Sequence, residues 1–203
     1  MRIDNFNPVM DDEDEKDNMM DSVLGSKKFD DKFLKQRKVF LWGAVHDKSA
    51  EKIVNRLLYL EAEDPGKPIE FYINSPGGVV TSGMVIYDVM KMISSPVSTI
   101  CMGMAASMGS ILLSGGEKGK RTIFTHGRVM IHQPSLGGVR GRASDIEIYS
   151  TQIQKTKELG AQILADNCGQ KFEKVMKDFN RDYWMDADES MAYGIVDKIY
   201  KMK

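Results

Sequence analysis

Val97-Ser98-Thr99-Ile100-Cys101-Met102-Gly103-Met104-Ala105-Ala106-Ser107-Met108-Gly109-Ser110-Ile111-Leu112-Leu113 is the longest apolar run in the chain. Residues 97–102 have the composition of a buried strand, and the residues from Met108 onward can start a helix. Gly103 and Gly109 interrupt the run, and Ser98, Thr99 and Ser107 place hydroxyls in it. At this length and polarity it reads as a buried strand joined to a buried helix, not as a membrane span.

Upstream the same alternation repeats. Lys38-Val39-Phe40-Leu41-Trp42-Gly43 is an apolar run closed by glycine. A helical pattern through Ile53, Leu57, Leu58 and Leu60 follows and ends before Asp64-Pro65-Gly66. Ile69-Glu70-Phe71-Tyr72-Ile73-Asn74 is a second strand, stopped by Ser75-Pro76-Gly77-Gly78, and Met84, Tyr87, Val89 and Met92 mark the next helix. Strands alternating with helices indicate an α/β fold with a largely parallel sheet. Downstream lie a strand around residues 128–133 and a glycine-rich segment, Leu136-Gly137-Gly138-Val139-Arg140-Gly141. From Ala143 to about Asn167 a long helix is expected, with Ile146, Tyr149, Ile153, Thr156, Ile163 and Leu164 on one face. An apolar stripe on a helix that long points to self-association.

The 203 residues allow one folded domain, expected over residues 27–203 and beginning with an amphipathic stretch at residues 29–37. Residues 1–26 are polar and carry the acidic block Asp11-Asp12-Glu13-Asp14-Glu15, which reads as a mobile extension. A formal net charge of −1 gives no electrostatic case for nucleic acid or a membrane as partner. Two cysteines make neither a disulfide framework nor a metal-ligand set, which fits a reducing, cytoplasmic compartment. The chain starts with no basic segment leading into an apolar one, so no secretory signal is expected.

Ser107 falls just past a strand, at the sheet edge where open α/β proteins place their chemistry. A serine hydroxyl is a poor nucleophile until an imidazole takes its proton and a carboxylate orients that imidazole. Ala105 stands where a G-x-S-x-G elbow has glycine, so an ordinary α/β-hydrolase is disfavoured. Of three histidines, His46 and His126 lie in polar turns, whereas His132 ends the apolar run Val129-Met130-Ile131. Asp178, Asp182, Asp186 and Asp188 all remain candidates for the acid. Gly77-Gly78 reads as a turn or as a backbone that brings an amide to developing negative charge. No histidine pair has metal-ligand spacing, and no G-x-x-x-x-G-K-[ST] segment occurs.

Taken in order, Tyr72-Ile73-Asn74-Ser75-Pro76-Gly77-Gly78, Ala105-Ala106-Ser107-Met108-Gly109, Gly119-Lys120-Arg121, Arg128-Val129-Met130-Ile131-His132-Gln133-Pro134, Asp145-Ile146-Glu147-Ile148 and Tyr193-Gly194-Ile195-Val196-Asp197 resemble the ClpP family, the proteolytic subunit of the Clp protease. The resemblance runs from about Lys38 to the C-terminus. It implies a ClpP/crotonase-like α/β fold with a protruding helix-strand handle at about residues 133–168. It also implies a serine endopeptidase with Ser107 as nucleophile, His132 as base and Asp182 as acid, the last because Arg181-Asp182 matches the family's pair. The amides of Gly78 and Met108 would form the oxyanion hole, and Arg181 would couple ring contacts to the triad. Two stacked heptameric rings would enclose the sites, and an AAA+ unfoldase, using ATP that this chain does not bind, would feed in unfolded protein. No metal or other cofactor is implied.

This sequence departs from the family in its N-terminal segment, which the resemblance would make an axial loop. It also departs in one extra residue near Ser135-Leu136 and in Met104 and Ser110. Two rival readings are an acyl-coenzyme A enzyme of the related crotonase fold and a catalytically silent ring subunit that binds a paralogue.

Overall fold

Apolar runs of strand length, each closed by glycine, proline or serine, set the rhythm of the fold. The computed structural model describes residues 28–135, 137–138 and 140–201. The acidic segment at residues 1–26, and Leu136 beside the extra residue, lie outside the described residues. The chain divides into two compact units, Met1–Gln36 and Arg37–Lys203. In the first, residues 28–35 form a helix, α1, and the Gln36 amide donates to the Phe33 carbonyl at 3.0 Å.

The second unit begins β1 (Lys38–Trp42), α2 (Asp47–Glu63), β2 (Ile69–Ser75), α3 (Val80–Met92), β3 (Val97–Ala106), α4 (Met108–Ser114). β2 shows why a sheet forms. Ile69, Phe71, Ile73 and Ser75 are buried while Glu70, Tyr72 and Asn74 between them are partly open, the period of a strand with one face on the core. β1, β2 and β3 pair in parallel and in order, so each connection must cross over, and the crossover helices α2 and α3 pack on each other. Their buried sides, with Ile53, Leu57 and Leu60 from α2 and Ile86 and Met90 from α3, form the core with the inward residues of the sheet.

The remaining elements are β4 (Thr122–Phe124), β5 (Arg128–Ile131), α5 (Ala143–Cys168), α6 (Phe172–Asp178), β6 (Tyr183–Met185), α7 (Ala187–Tyr193) and β7 (Lys198–Tyr200). β3 runs four residues beyond the expected Met102, because it serves two neighbours. Ile100 and Cys101 pair with β4, whereas Met104, Ala105 and Ala106 pair with β5. Between them Gly103 takes φ +82°, a conformation that suits glycine, and lets the strand turn from one partner to the other. The sheet is parallel as expected, except for β6, which runs antiparallel to β5.

α5 has the expected extent, but its apolar stripe changes environment along its length. Ile146, Ile148 and Tyr149 are exposed, whereas Gly160, Ala161, Leu164 and Ala165 are buried. Among the described residues from 132 to 142 no strand forms. Among the described residues no helix is long and apolar enough to cross a membrane.

Candidate active site

The turn out of β3 fixes Ser107. Its backbone has φ 53° and ψ −122°, a region that residues with a side chain rarely occupy. The turn is held from both sides. The Ser107 amide donates to the Met130 carbonyl of β5 at 2.8 Å, and the Ser107 carbonyl accepts from the amides of Ser110 and Ile111 to open α4. A Cβ at Gly77 would stand 2.6 Å from Ser107 Cβ and 2.9 Å from Met108 N, so only glycine fits beneath the serine. The strained serine of an elbow is therefore present without the elbow's glycine pattern. Ala105 is accommodated as an ordinary ladder residue opposite Ser75 and Val129, and Gly77 from the turn after β2 supplies the clearance.

His132 is the first residue beyond β5. The pairs Val129↔Met185, Met130↔Trp184 and Ile131↔Tyr183 bring the end of β5 against the start of β6, and one step further His132 meets Asp182. His132 Nδ1 lies 3.0 Å from Asp182 Oδ1, and Nε2 lies 2.8 Å from Ser107 Oγ. A carboxylate only accepts, so the ring proton belongs on Nδ1, which leaves Nε2 to accept from the serine hydroxyl. The imidazole is half-buried, less enclosed than its apolar run implies, and Asp182 is open to water.

The other three aspartates are engaged elsewhere or face solvent. Asp178 accepts from Lys174 and from the Tyr193 hydroxyl, Asp186 caps α7 by accepting from the Glu189 amide, and Asp188 is an exposed residue of α7. His126 lies in an exposed turn. His46 is exposed as expected, but it also caps α2, with Nδ1 accepting from the Ser49 amide.

Gly78 is held by the segment after β1. The Val45 amide donates to the Gly77 carbonyl and the Val79 amide to the Val45 carbonyl, both at 2.8 Å, with Gly78 between. Met108, whose amide is the first of α4, has no preceding helical carbonyl to satisfy it. Arg181 is exposed and has no side-chain partner among the described residues.

Gln133 escaped the sequence reading. Its amide donates to the Phe179 carbonyl at 2.6 Å and its side-chain Nε2 to the Asn180 carbonyl at 2.7 Å, tying the segment after His132 to the loop that carries Asp182. Nothing in residue type or spacing announces such a clamp. The role of Gly77, by contrast, was partly visible in a glycine pair whose purpose was left open.

Beside Ser107 and His132 opens a small cavity of about 30 Å³ walled by Met84, Met108, Ile111, Pro134, Phe179 and Gly160. A larger polar hollow near Lys91, Glu117 and Asp166 contains neither Ser107 nor His132. Both cysteines are free, and burial pushes the thiols of Cys101 and Cys168 up to about 12, so neither is poised as a nucleophile at neutral pH. Among the described residues no group of acids, histidines and cysteines could hold a metal ion.

A sequence model of the family described as Clp protease matches residues 25–203. The chain belongs to the Clp protease family, and its mixed α/β architecture with a seven-stranded sheet agrees with that fold.

Proposed function

We propose that this member of the Clp protease family is a serine endopeptidase subunit that cleaves unfolded polypeptides by acyl transfer. The observation that carries the reading is the unbroken hydrogen-bond chain from Ser107 Oγ through the His132 ring to Asp182. Ser107 Oγ attacks a peptide carbonyl while His132 Nε2 takes the hydroxyl proton, and Asp182 holds the imidazolium that forms. The amides of Gly78 and Met108 donate to the oxyanion. His132 then returns the proton to the leaving amine as the C–N bond breaks. Water, deprotonated by the same nitrogen, hydrolyses the ester and restores Ser107. An extended substrate would pair its backbone with the segments after Gly78 and after His132.

The assembly follows the family. Two stacked heptameric rings would place the sites in a chamber, α5 would pack between rings through its exposed Ile146, Ile148 and Tyr149, and Arg181 would link ring contacts to Asp182. An AAA+ unfoldase would hydrolyse ATP and deliver substrate, and this chain would bind no cofactor of its own. Neither nucleic acid nor membrane is a partner in this reading, and the compartment would be the cytoplasm. A paralogous subunit in the rings is compatible with it. The acyl-coenzyme A alternative is disfavoured by the serine-histidine contact, which that chemistry does not need, and a silent subunit by a chain of bonds with no member missing.

The test is the intact mass of the full chain after treatment with a fluorophosphonate, with Ser107→Ala in parallel. One adduct, lost in the variant, is expected. An adduct that persists in Ser107→Ala would remove Ser107 from the mechanism.

A further inference from the structure

A serine or threonine inside a helix commonly returns its hydroxyl proton to a carbonyl about one turn back. Ser110, Ser114, Thr151, Thr156 and Ser190 all do so in this chain. Ser82 does not. It lies in the first turn of α3, is 4% exposed, and gives its proton to Asp47 Oδ1, on the first residue of α2, at 2.5 Å. The carbonyls it passes over, three and four residues back, are those of Val79 and Gly78.

A backbone link runs beside this side-chain one. Val45, two residues before Asp47, brackets Gly78: its amide donates to the Gly77 carbonyl and its carbonyl accepts from the Val79 amide. A Cβ on Gly78 would stand 2.2 Å from the Val45 carbonyl oxygen, so the two backbones are in direct contact. The Gly78 amide takes no part in the bracket and has no partner among the described residues. An amide meant for an oxyanion must be left free in this way until substrate arrives. Support on its other side is thin. Gly78 and Val79 are exposed, and Val79, the N-cap of α3, makes no side-chain cap bond.

We infer that Asp47 and Ser82 are positioning residues for the oxyanion hole: their hydrogen bond locks the start of α3 to the start of α2 and so sets where the Gly78 amide meets the developing charge. This rests on the proteolytic reading above. α2 is the fixed partner, a 17-residue helix whose buried side carries Ala50, Ile53, Leu57 and Leu60 and whose first turn is closed by the His46–Ser49 capping box. Asp47 extends that fixed point across to α3, and Ser82 returns it within four residues of Gly78. Without the bond, the Val45 bracket alone would hold the glycine. An oxyanion donor is effective only within a few tenths of an ångström of its working distance, so a small drift there costs rate without touching Ser107 or His132.

The experiment compares wild type, Ser82→Ala, Asp47→Ala, the double variant and Asp47→Asn, each as the full chain, on one peptidyl aminocoumarin. A peptide boronate is the second probe, because its tetrahedral adduct on Ser107 puts a hydroxyl where the oxyanion forms. Ser82→Ala and Asp47→Ala should each lower kcat by about 10-fold, short of the roughly 10²- to 10³-fold that follows deletion of an oxyanion donor. KM and the pH profile of kcat/KM should stay as in wild type, because the triad is intact, while the Ki of the boronate rises by about the same factor as kcat falls. The double variant should be no worse than the worse single one, since both remove the same bond. Asp47→Asn still offers Ser82 an acceptor and should stay within about 3-fold of wild type. A boronate Ki unchanged in both alanine variants overturns the inference even where kcat falls, because Ki does not depend on the fraction of molecules that are folded. A shifted pH profile, or losses that add in the double variant, overturns it as well. Wild type that gives no fluorophosphonate adduct overturns the proteolytic reading itself; an adduct formed equally fast by wild type and both alanine variants overturns only the role of Asp47 and Ser82.

Discussion

Two aspartates hold nitrogen partners at opposite ends of the parallel strands, and they are built differently. Where β4 begins, Asp197 Oδ2 accepts from the amides of Gly119 and Arg121 and from Arg121 Nε, while Oδ1 accepts from Arg121 Nη2 at 2.6 Å. Arg121 is 4% exposed, and its Nη1 also donates to the carbonyls of Ser114 and Asn167. Beyond the end of β5, Asp182 is 62% exposed, and His132 is its one hydrogen-bond partner among the described residues. The first pair is saturated inside one chain and belongs to the fold. The second is geometrically formed but weakly enclosed, and a carboxylate this open to water orients an imidazole less firmly. On the proposed function, a neighbouring copy that meets Arg181 and the loop before Asp182 would supply the missing enclosure.

Exchanging each aspartate for asparagine separates the two most sharply. Asp182→Asn is expected to lower kcat by on the order of 10⁴-fold through the wrong histidine tautomer, with the melting temperature unchanged, read by peptide hydrolysis and calorimetry. A comparable fall in stability would show that Asp182 is part of the fold after all.

Asp197→Asn should do the reverse. It leaves the Arg121 guanidinium buried without its counter-charge, at a cost of about 3 kcal/mol, and should lower the melting temperature by roughly 6–12 °C. Burial opposes ionisation of Asp197, but the hydrogen bonds and charge of Arg121 and the Gly119 amide outweigh it and hold the carboxyl below its ordinary range. A depressed native pKa gives stability that is complete above the unfolded value, near 3.9, and is lost as pH falls through the native one. The gap in melting temperature between wild type and Asp197→Asn should therefore hold from pH 7 to 5 and shrink below pH 4. A gap independent of pH down to 3 would assign the loss to packing instead.

The smallest effect is expected at Gln133, which stands between the two cases: a clamp within one chain that acts on the open pair. Gln133→Ala should reduce kcat by about 10-fold with KM nearly unchanged and stability lowered by about 1 kcal/mol, the loss of a single hydrogen bond. Full activity in this variant would mean that the β5–β6 ladder alone sets the distance from His132 to Asp182.

What could be read from residues divides along the same line. The strands and helices through Leu113 were legible because each is a local apolar run with its own stop signal; Ser107 stood out as a hydroxyl just past a strand, and His132 because it ends such a run. The acid was not legible from composition. Four aspartates within residues 178–188 look alike in sequence, and only the antiparallel pairing of β5 with β6 brings one of them to His132 Nδ1. The fork in β3 was likewise invisible, since a strand's sequence records that it is buried but not that it changes partner at Gly103.

By itself, then, the sequence determined the class of fold, the order of elements and the short set of residues able to do acid-base and nucleophilic work, because periodicity and turn chemistry act over a few neighbouring residues. The tertiary structure alone decided the strained backbone of Ser107, which purpose the glycine at 77 serves, and the clamp from Gln133. Each of these is a contact between segments distant along the chain, set by strand register and close packing, and neither leaves a pattern in the residues on one side of the contact.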